Sequence, residues 1–399
     1  MSEEFYRIKR LPPYVIAEVN GMRAAARAAG RDIIDLGMGN PDLPPPQHVV
    51  DKLCEVAQKP DAHGYSASSG IPGVRKAQAN YYARRFGVEL DPETEVVMTM
   101  GSKEGLASLA TAITGPGDVV LAPNPSYPIH TFGFIIAGAT IRSVPTTPDE
   151  AYWASLERAM AFTVPRPSIL IVNYPSNPTA ETVDLAFYER LVAWAKEHKV
   201  WVLSDLAYSE LYYDGNPTPS ILQVPGAKDV AVEFTSMSKT FSMAGWRVGF
   251  AVGNQRLIAA LKRVKSYLDY GAFTPIQAAT CAALNGPQDI VEMNRALYQK
   301  RRDVLVESFG RAGWEIPSPK ASMFAWAPLP PALKEMGSLE FSKQLLTHAE
   351  VAVAPGVGYG EEGEGFVRIA LVENEQRLRQ AARNIRRYLA SMGVNTSAA

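Results

Sequence analysis

One lysine lies among residue types that suit covalent chemistry beside a phosphate. Lys239 follows Ser236 and Ser238 at the end of an apolar run at 230–235, and Arg247 comes one short loop later. A lysine at the end of a buried strand loses the water around its charge unless it is paired or neutralised. Serine hydroxyls and a forked guanidinium are the groups that bind phosphate. An uncharged lysine beside a bound phosphate suggests a Schiff base with pyridoxal phosphate (PLP).

A second turn could also hold an anion. The apolar run 96–100 leads into Gly101, Ser102 and Lys103, which open a helical stretch. Free backbone N–H groups at the start of a helix bind anions such as phosphate, although the same turn suits an ordinary helix cap. Lys103 favours the anion, because a cation in the first helical turn opposes the helix dipole.

An acidic residue ends another apolar run. Asp205 follows the run 200–203, and Tyr208 comes three residues later. An aspartate in this position often only caps the next helix. In the functional interpretation, Asp205 pairs with the protonated ring nitrogen of PLP, and Tyr208 donates to an oxygen on the same ring. PLP needs this pairing because its charged pyridinium withdraws electrons from the substrate α-carbon.

Three further positions have both a structural and a functional interpretation. Asn177 lies in a turn with two prolines and two asparagines, yet its amide could also be aimed at a ligand. Tyr127 follows another strand and could either pack or stack on a planar ring. Arg368, within the apolar run 366–370, either faces solvent or offers its guanidinium fork to a carboxylate.

The elements that must position these residues alternate between strands and helices. Helical stretches such as Leu185–His198 separate several of six strand-like runs, at 96–100, 119–122, 169–172, 200–203, 230–235 and 248–252. This alternation predicts a doubly wound α/β sheet, with the chemistry at the carboxyl ends of the strands. From about residue 287 a long charged helix, short strands and a final amphipathic helix predict a smaller α+β domain.

Composition excludes several other classes of protein. The formal net charge of the 399 residues is -1, which gives no overall attraction to nucleic acid or to a membrane surface. Cys54 and Cys281 are too few for a disulfide framework and fit a reducing compartment. No apolar run approaches the roughly 20 residues of a membrane span, and no secretion signal opens the chain. We therefore expect a cytoplasmic protein, and the spacing of its histidines and cysteines predicts no metal site.

Together these residues resemble the class I/II aminotransferases of PLP fold type I. The elements of the resemblance occur in the family's order and at similar spacing over nearly the whole chain: Asn177-Pro178, Asp205-x-x-Tyr208, Ser236-x-Ser238-Lys239, Arg247 and Arg368. The resemblance implies a large PLP-binding domain at 46–286 with a mostly parallel seven-stranded sheet. It also implies a smaller α+β domain at 287–399 and an N-terminal arm at 1–45 that forms part of the small domain.

The resemblance also implies roles around the cofactor. Lys239 bonds to PLP and moves a proton at the substrate α-carbon, Asp205 holds the pyridinium proton, and Tyr127 stacks on the ring. Tyr208 and Asn177 bond the ring hydroxyl oxygen. The phosphate is held by Ser102, the backbone of Lys103, Ser236, Ser238 and Arg247.

Further implied roles concern the substrate and a second subunit. Arg368 binds the substrate α-carboxylate, helped by Asn177 and by the backbone of Gly39, and the N-terminal arm with Tyr14 closes over the site. Tyr65 reaches the phosphate of the other subunit, and Thr274 is expected to do the same. The resemblance therefore implies a homodimer.

A finer resemblance is to a bacterial subgroup that includes glutamate–pyruvate (alanine) aminotransferases, carried by residues 101–105, 124–130 and 320–323. It implies ping-pong exchange between an L-amino acid, alanine first, and 2-oxoglutarate. Aspartate, methionine, aromatic amino acids and LL-diaminopimelate remain alternative donors. Aspartate is less favoured, because aspartate aminotransferases bring an arginine from the partner subunit and the stretch 266–273 has none. Lys103 is the candidate for binding glutamate's distal carboxylate, and a small pocket would accept alanine.

Two other classes of protein share parts of this pattern. A fold type I C–S lyase would use the same PLP residues for β-elimination. A PLP-sensing transcription regulator would carry an N-terminal helix-turn-helix domain. Only a short arm precedes the catalytic pattern here, so the regulator is disfavoured.

Overall fold

The computed structural model describes residues 5, 7–13 and 15–394. Its strands, in chain order, are β1 (Ile34–Asp35), β2 (Val96–Thr99), β3 (Val119–Asn124), β4 (Thr140–Pro145), β5 (Ile169–Asn173), β6 (Trp201–Asp205), β7 (Ala231–Ser236), β8 (Gly249–Gly253), β9 (Phe324–Pro328), β10 (Val351–Ala352), β11 (Ala354–Pro355) and β12 (Phe366–Ala370). Its α-helices are α1 (Val15–Ala28), α2 (Gln47–Ala57), α3 (Pro72–Phe86), α4 (Ser102–Ile113), α5 (Ile129–Ala137), α6 (Glu150–Phe162), α7 (Leu185–His198), α8 (Met237–Thr240), α9 (Gln255–Leu268), α10 (Thr274–Asn285), α11 (Asp289–Gly310), α12 (Ser338–Gln344) and α13 (Glu375–Ser391).

Seven strands form one sheet in the order β2-β8-β7-β6-β5-β3-β4. All neighbours pair in parallel except β8, which is antiparallel to both β2 and β7. The continuous apolar runs of the central strands are buried on both faces, as parallel sheets covered by helices require. This confirms the predicted α/β fold with a mostly parallel seven-stranded sheet.

Helices cover both faces of this sheet. On one face α4 packs against α5 and α9, with Leu109, Phe134 and Leu261 buried between them and the strands. On the other face α10 packs against α2 and α3, and an apolar cluster that includes Tyr82 and Tyr188 lies against the strands. The apolar residues on both faces of this sheet form the first core. The two layers of helix hold the strands so that their carboxyl ends open at one edge.

Side-chain caps fix where several helices begin. Among the described α-helices, the residue before the helix accepts a hydrogen bond from a backbone N–H of the first turn in five cases: Asp149, Asp184, Ser236, Asn254 and Asn374. Such caps satisfy donors that have no partner inside the helix. The α5 helix ends at Gly138, whose φ of 108° favours glycine.

A three-stranded antiparallel sheet forms a second core. The β12 strand lies between β11 and β9, and α11, α12 and α13 pack beside them around Trp314 and Phe341. The N-terminal strand β1 pairs in parallel with β10, which joins the start of the chain to this part. The division into 1–45, 46–286 and 287–399 stays a prediction. No helix among the described residues is long and apolar enough to cross a membrane.

Candidate active site

A cavity of about 620 Å³ opens at the carboxyl ends of the central strands, between the two cores. Residues predicted from the sequence line it: Gly39, Ser102, Lys103, Tyr127, Asn177, Asp205, Tyr208, Ser236, Ser238, Lys239, Arg247 and Arg368. Most follow directly from strand ends, since Asp205 closes β6 and Ser236 closes β7. Arg368 is added from β12 of the second core.

Lys239 lies in the one-turn helix α8, directly after β7. Its Nζ donates a 2.6 Å hydrogen bond to the carbonyl oxygen of Gly39. Burial, followed by the charges of Arg368 and Arg247, lowers the pKa of Lys239 to about 7. A substantial fraction of this amine is therefore neutral at neutral pH, which is the form that attacks a carbonyl carbon.

The buried side chain of His130 contacts the carboxylate of Asp205. His130 Nε2 lies 2.9 Å from Asp205 Oδ2, and the Asp205 backbone carbonyl accepts a 2.8 Å bond from the Asn173 amide. The other carboxylate oxygen, Oδ1, is buried and has no hydrogen-bond partner among the residues the structure describes. A buried carboxylate oxygen without a partner is costly, so it is free to receive an N–H from a ligand.

Arg368 is a buried cation without a paired carboxylate within the described part of the chain. Its Nη1 donates to Asn177 Oδ1 and its Nη2 to the Gly37 carbonyl, each at 2.9 Å. The guanidinium carbon lies 4.0 Å from the centre of the Phe324 ring and 4.9 Å from that of Tyr359. Neutral acceptors and aromatic faces stabilise the cation only in part, which leaves a fork available for a ligand carboxylate.

Two tyrosines border the cavity. Burial raises the pKa of Tyr208 far above its usual range, so its hydroxyl stays protonated and can donate. Burial, and then the charge of Asp205, also raises the pKa of Tyr127. The Tyr127 ring meets His130 edge-on, with centroids 6.0 Å apart, and Lys103 Nζ lies 5.6 Å from its centroid.

The start of α4 and the Arg247 guanidinium form a cationic turn. Gly101 caps α4 at a φ of 86°, and a Cβ there would lie 2.4 Å from Arg247 Nη2. A Cβ on Gly249 would lie 2.6 Å from the Ser102 backbone nitrogen. Both glycines are therefore required by close approach, and the Ser236 hydroxyl caps α8 by accepting from the Ser238 N–H at 3.1 Å. Helix N–H groups, hydroxyls and a guanidinium together suit a phosphate.

Two predicted site residues, Tyr65 and Thr274, lie away from the cavity lining. Tyr65 is 89% exposed and stacks on Tyr270 with ring centroids 4.6 Å apart, outside the cavity lining. Thr274 begins α10 and does not line the cavity either. Their proposed contact with a second subunit stays a prediction. Tyr14 lies outside the described residues.

Sequence reasoning missed several residues that line or support the cavity. His130 lies within the stretch 124–130 that carries the finer resemblance, but that resemblance implies no role for it. Its position one turn after Tyr127, at the start of a helical pattern, was the available signal. Ile16 and Asn20 of α1, Phe324 of β9 and Tyr359 also line the cavity. No local spacing in the sequence connects them to it.

Comparison with known proteins agrees with this geometry. The family described as "Aminotransferase class I and II" matches residues 31–385. A Rhizobium meliloti protein named as aminotransferase AatC is 66% identical over 390 residues, which cover 98% of this chain and 96% of that protein. The glutamate-pyruvate aminotransferase AlaC of Escherichia coli is 53% identical over 393 residues, covering 98% and 95%.

More distant matches extend the set. The LL-diaminopimelate aminotransferase of Moorella thermoacetica is 43% identical over 387 residues, covering 97% of this chain and 98% of that enzyme. Among solved structures, substrate-bound BacF from Bacillus subtilis superposes with a TM-score of 0.90 at 34% identity, covering 97% and 98% of the two chains. The matches therefore span both cores and the cavity between them.

Proposed function

The chain belongs to the class I and II aminotransferases, a PLP-dependent family, and we propose that within it the chain exchanges an amino group between L-alanine and 2-oxoglutarate by a ping-pong mechanism. The observation that carries transamination is that Lys239 and Arg368 face one cavity. Lys239 supplies an amine with a pKa of about 7, and Arg368 supplies a guanidinium fork that no carboxylate of the described residues pairs. A proton-transfer group and a carboxylate anchor are what a reaction at an amino-acid α-carbon needs.

The residues present fit PLP. The unpartnered Asp205 Oδ1 suits the pyridinium N–H, and the turn formed by Gly101, Ser102 and Arg247 suits the phosphate. Tyr127 lies at the cavity wall where a planar ring could stack on it. When bound, PLP supplies the electron sink that makes the substrate α-hydrogen acidic.

The chain's own groups would divide the remaining work. Lys239 Nζ would hold the cofactor covalently at rest and, once released from it, would take and return the proton at the substrate α-carbon. Arg368 fixes the α-carboxylate, which orients the C–H bond that breaks. His130 holds Asp205 so that one carboxylate oxygen stays available, and the protonated Tyr208 hydroxyl would donate to an oxygen on the ring.

The choice of alanine and glutamate rests on similarity and on charge. AlaC is named for glutamate and pyruvate, and it is 53% identical to this chain. Residues 266–273 contain no arginine that could serve a distal carboxylate, which disfavours aspartate. Lys103, exposed at the cavity, is the remaining cation for the distal carboxylate of glutamate. The 43% identity to an LL-diaminopimelate aminotransferase supports that donor as the second candidate.

A donor–acceptor panel tests this proposal. With 2-oxoglutarate as acceptor, we expect kcat/KM for alanine to exceed that for aspartate, methionine, aromatic amino acids and LL-diaminopimelate by about tenfold or more, the factor that 1.4 kcal/mol of transition-state binding gives. A highest value for LL-diaminopimelate would assign that donor instead. Single-turnover spectra should show a lasting pyridoxamine form, whereas thiol release from cystathionine without that form would indicate a C–S lyase.

We further propose that the active enzyme is a homodimer located in the cytoplasm. Tyr65 lies with its ring centroid 4.6 Å from that of Tyr270, and both rings are exposed, as is Tyr267 in the same stretch 266–273. Exposed aromatic residues are enriched at interfaces. Tyr65 and Thr274 would then complete the partner's phosphate site. Analytical ultracentrifugation tests the dimer. In the same samples, Tyr65→Phe should weaken PLP binding without dissociating the subunits.

A further inference from the structure

Asp42 and Arg301 form an ion pair outside the cavity lining. Arg301 Nη1 lies 2.8 Å from Asp42 Oδ1, and Nη2 lies 2.7 Å from Oδ2, so both prongs of the guanidinium are used. The Arg301 side chain, on α11, is only 4% exposed, and that of Asp42 is 34% exposed. This is the geometry in which Arg–carboxylate pairs fix orientation as well as distance.

Asp42 belongs to the loop 36–46, whose carbonyl groups bind both functional cations of the site. The Gly39 carbonyl accepts from Lys239 Nζ at 2.6 Å, and the Gly37 carbonyl accepts from Arg368 Nη2 at 2.9 Å. A Cβ at Gly39 would lie 2.5 Å from the Phe324 ring, so the loop runs close against the wall of the cavity. A shift of this loop would therefore move the acceptors of Lys239 and Arg368 together.

Arg301 also holds the strand that carries Arg368. Its Nη1 donates to the carbonyl of Leu371 at 3.1 Å, and Leu371 directly follows β12. The Ala370 N–H, at the end of β12, donates to the Leu36 carbonyl at 2.7 Å. One buried guanidinium thus joins the loop 36–46, the end of β12 and the helix α11.

We propose that Asp42 and Arg301 are positioning residues for transamination, holding the Gly37 and Gly39 carbonyls where Lys239 and Arg368 bind them. The proposal rests on the aminotransferase function proposed above and deepens it. Neither residue touches substrate or cofactor. Their effect passes through the loop, so it should appear in carboxylate binding and in the titration of the lysine as well as in stability.

The next residue on the same helix provides a matched control. Arg302 contacts Asp214 with Nη1–Oδ2 at 2.6 Å and Nη2–Oδ1 at 2.9 Å, and it donates to the Pro319 carbonyl at 3.3 Å. Its side chain is 7% exposed. This pair has the same fork and a similar backbone acceptor, but Asp214 does not line the cavity. Asp214→Asn therefore removes an ion pair of the same geometry without touching the loop, while Arg302 keeps its contact with Asp303 at 2.8 Å.

The experiment compares Asp42→Asn and Asp214→Asn holoenzymes with wild type, with melting temperatures recorded for each. The first readout is the dissociation constant of propionate, which is measured through the change in cofactor absorbance. We expect this dissociation constant to rise roughly tenfold in Asp42→Asn, the factor for losing one hydrogen bond to a charged group. The second readout is the pH midpoint of the cofactor absorbance, which should move by about one unit. Asp214→Asn should change neither.

Steady-state kinetics on any accepted donor complete the test. KM should rise in Asp42→Asn with a smaller change in kcat, because the carboxylate anchor is displaced. If Asp42→Asn does not fold, the same two readouts are measured on Arg301→Lys, which keeps the positive charge but loses the two-pronged contact with Asp42. Propionate binding and absorbance midpoints equal to those of Asp214→Asn would overturn the proposal. If no donor is transaminated by wild type, the proposed function fails, while the propionate readout still tests the positioning role.

Discussion

His130 Nε2 lies 2.9 Å from Asp205 Oδ2, and both side chains are buried where β6 ends. His130 belongs to α5 and Asp205 to β6, so this contact ties a helix on one face of the sheet to the end of a central strand. It leaves Asp205 Oδ1 as the oxygen without a partner among the described residues. The histidine thereby sets which carboxylate oxygen a cavity ligand meets.

Replacing His130 should weaken cofactor binding. His130→Phe keeps an aromatic ring but leaves Asp205 without its partner, so we expect PLP to bind about tenfold more weakly, in line with the loss of one charge-assisted hydrogen bond. The dissociation constant is measured by fluorescence titration of the PLP-free enzyme. His198→Phe is the control, because His198, at the end of α7, contacts only the exposed carboxylate of Glu157 on α6, at 3.5 Å, among the described ion-pair partners. Equal PLP affinities in the two variants would contradict the role of His130.

The cavity residues could be predicted from the sequence because they follow strand ends. Ser236 closes β7, Asp205 closes β6 and Asn177 comes shortly after β5. In a parallel sheet these ends meet at one edge, so residues far apart in the chain converge there. His130 escaped prediction because its role depends on the way α5 packs on the sheet. No local pattern of residues in the sequence predicts that packing.

The strands show the same division between what was predictable and what was not. The buried strands β3, β5 and β6 each contain a continuous apolar run, and the sequence predicts their ends within two residues. The edge strand β4 was missed because Thr140, Arg142 and Ser143 are exposed, so it has no apolar run. The two-residue strands β1 and β10 are defined by their pairing with each other, which no local pattern indicates.

Lys239 should make the stability of the PLP-free enzyme depend on pH. Its pKa falls from 10.5 to about 7 on folding, so between these values the unfolded chain binds more protons and stability rises with pH. Below pH 7 the amine is charged in both states and its burial is fully destabilising. Lys239→Met should therefore melt higher than wild type at pH 6, by about 2–4 °C, and the difference should shrink toward pH 10. Melting temperatures of the two PLP-free proteins at both pH values check this, and equal differences at pH 6 and pH 10 would contradict it.

Arg368→Lys should separate substrate binding from cofactor binding. Lysine keeps the positive charge but loses the planar fork, so we expect KM for the amino-acid donor to rise about tenfold or more. The PLP dissociation constant should stay unchanged, because Arg368 contacts Asn177 and the Gly37 carbonyl rather than the phosphate turn. Steady-state kinetics measure the KM for the donor, and a PLP titration measures the dissociation constant of the cofactor. Weaker PLP binding with an unchanged KM would assign Arg368 to the cofactor.

Lys103→Ala should change substrate preference. Lys103 Nζ lies over the Tyr127 ring at the cavity, where it could meet the distal carboxylate of glutamate. We expect kcat/KM for glutamate and 2-oxoglutarate to fall about tenfold, the worth of one charge-assisted contact, and that for alanine to fall much less. Lys103→Arg retains the charge and is the control. Equal losses for alanine and glutamate would remove Lys103 from selectivity.

A second buried carboxyl group lies inside the large sheet, away from the cavity lining. Glu233 of β7 is fully buried, and it accepts from the Tyr82 hydroxyl at 2.9 Å and from the Ser204 hydroxyl at 3.0 Å. The Ser220 hydroxyl and the Ile221 N–H also donate to it. Burial raises the pKa of Glu233 above its ordinary value of 4.5 despite these donors. The folded chain therefore holds this proton at a pH where the unfolded chain has lost it.

Glu233→Gln should stabilise the protein at neutral pH and not in acid. As pH rises from 4.5, the unfolded chain ionises first, so wild-type stability falls until the folded pKa is passed. Glutamine mimics the protonated form, so we expect Glu233→Gln to melt at a higher temperature than wild type at pH 8 and at the same temperature near pH 4. Melting temperatures at both pH values check this. Glu55→Gln is expected to lower the stability at pH 8 rather than raise it, because Lys52 and Lys59 lower the pKa of exposed Glu55 and so favour its ionised form in the folded chain. A loss of stability at pH 8 in Glu233→Gln would show that its donors bind a carboxylate.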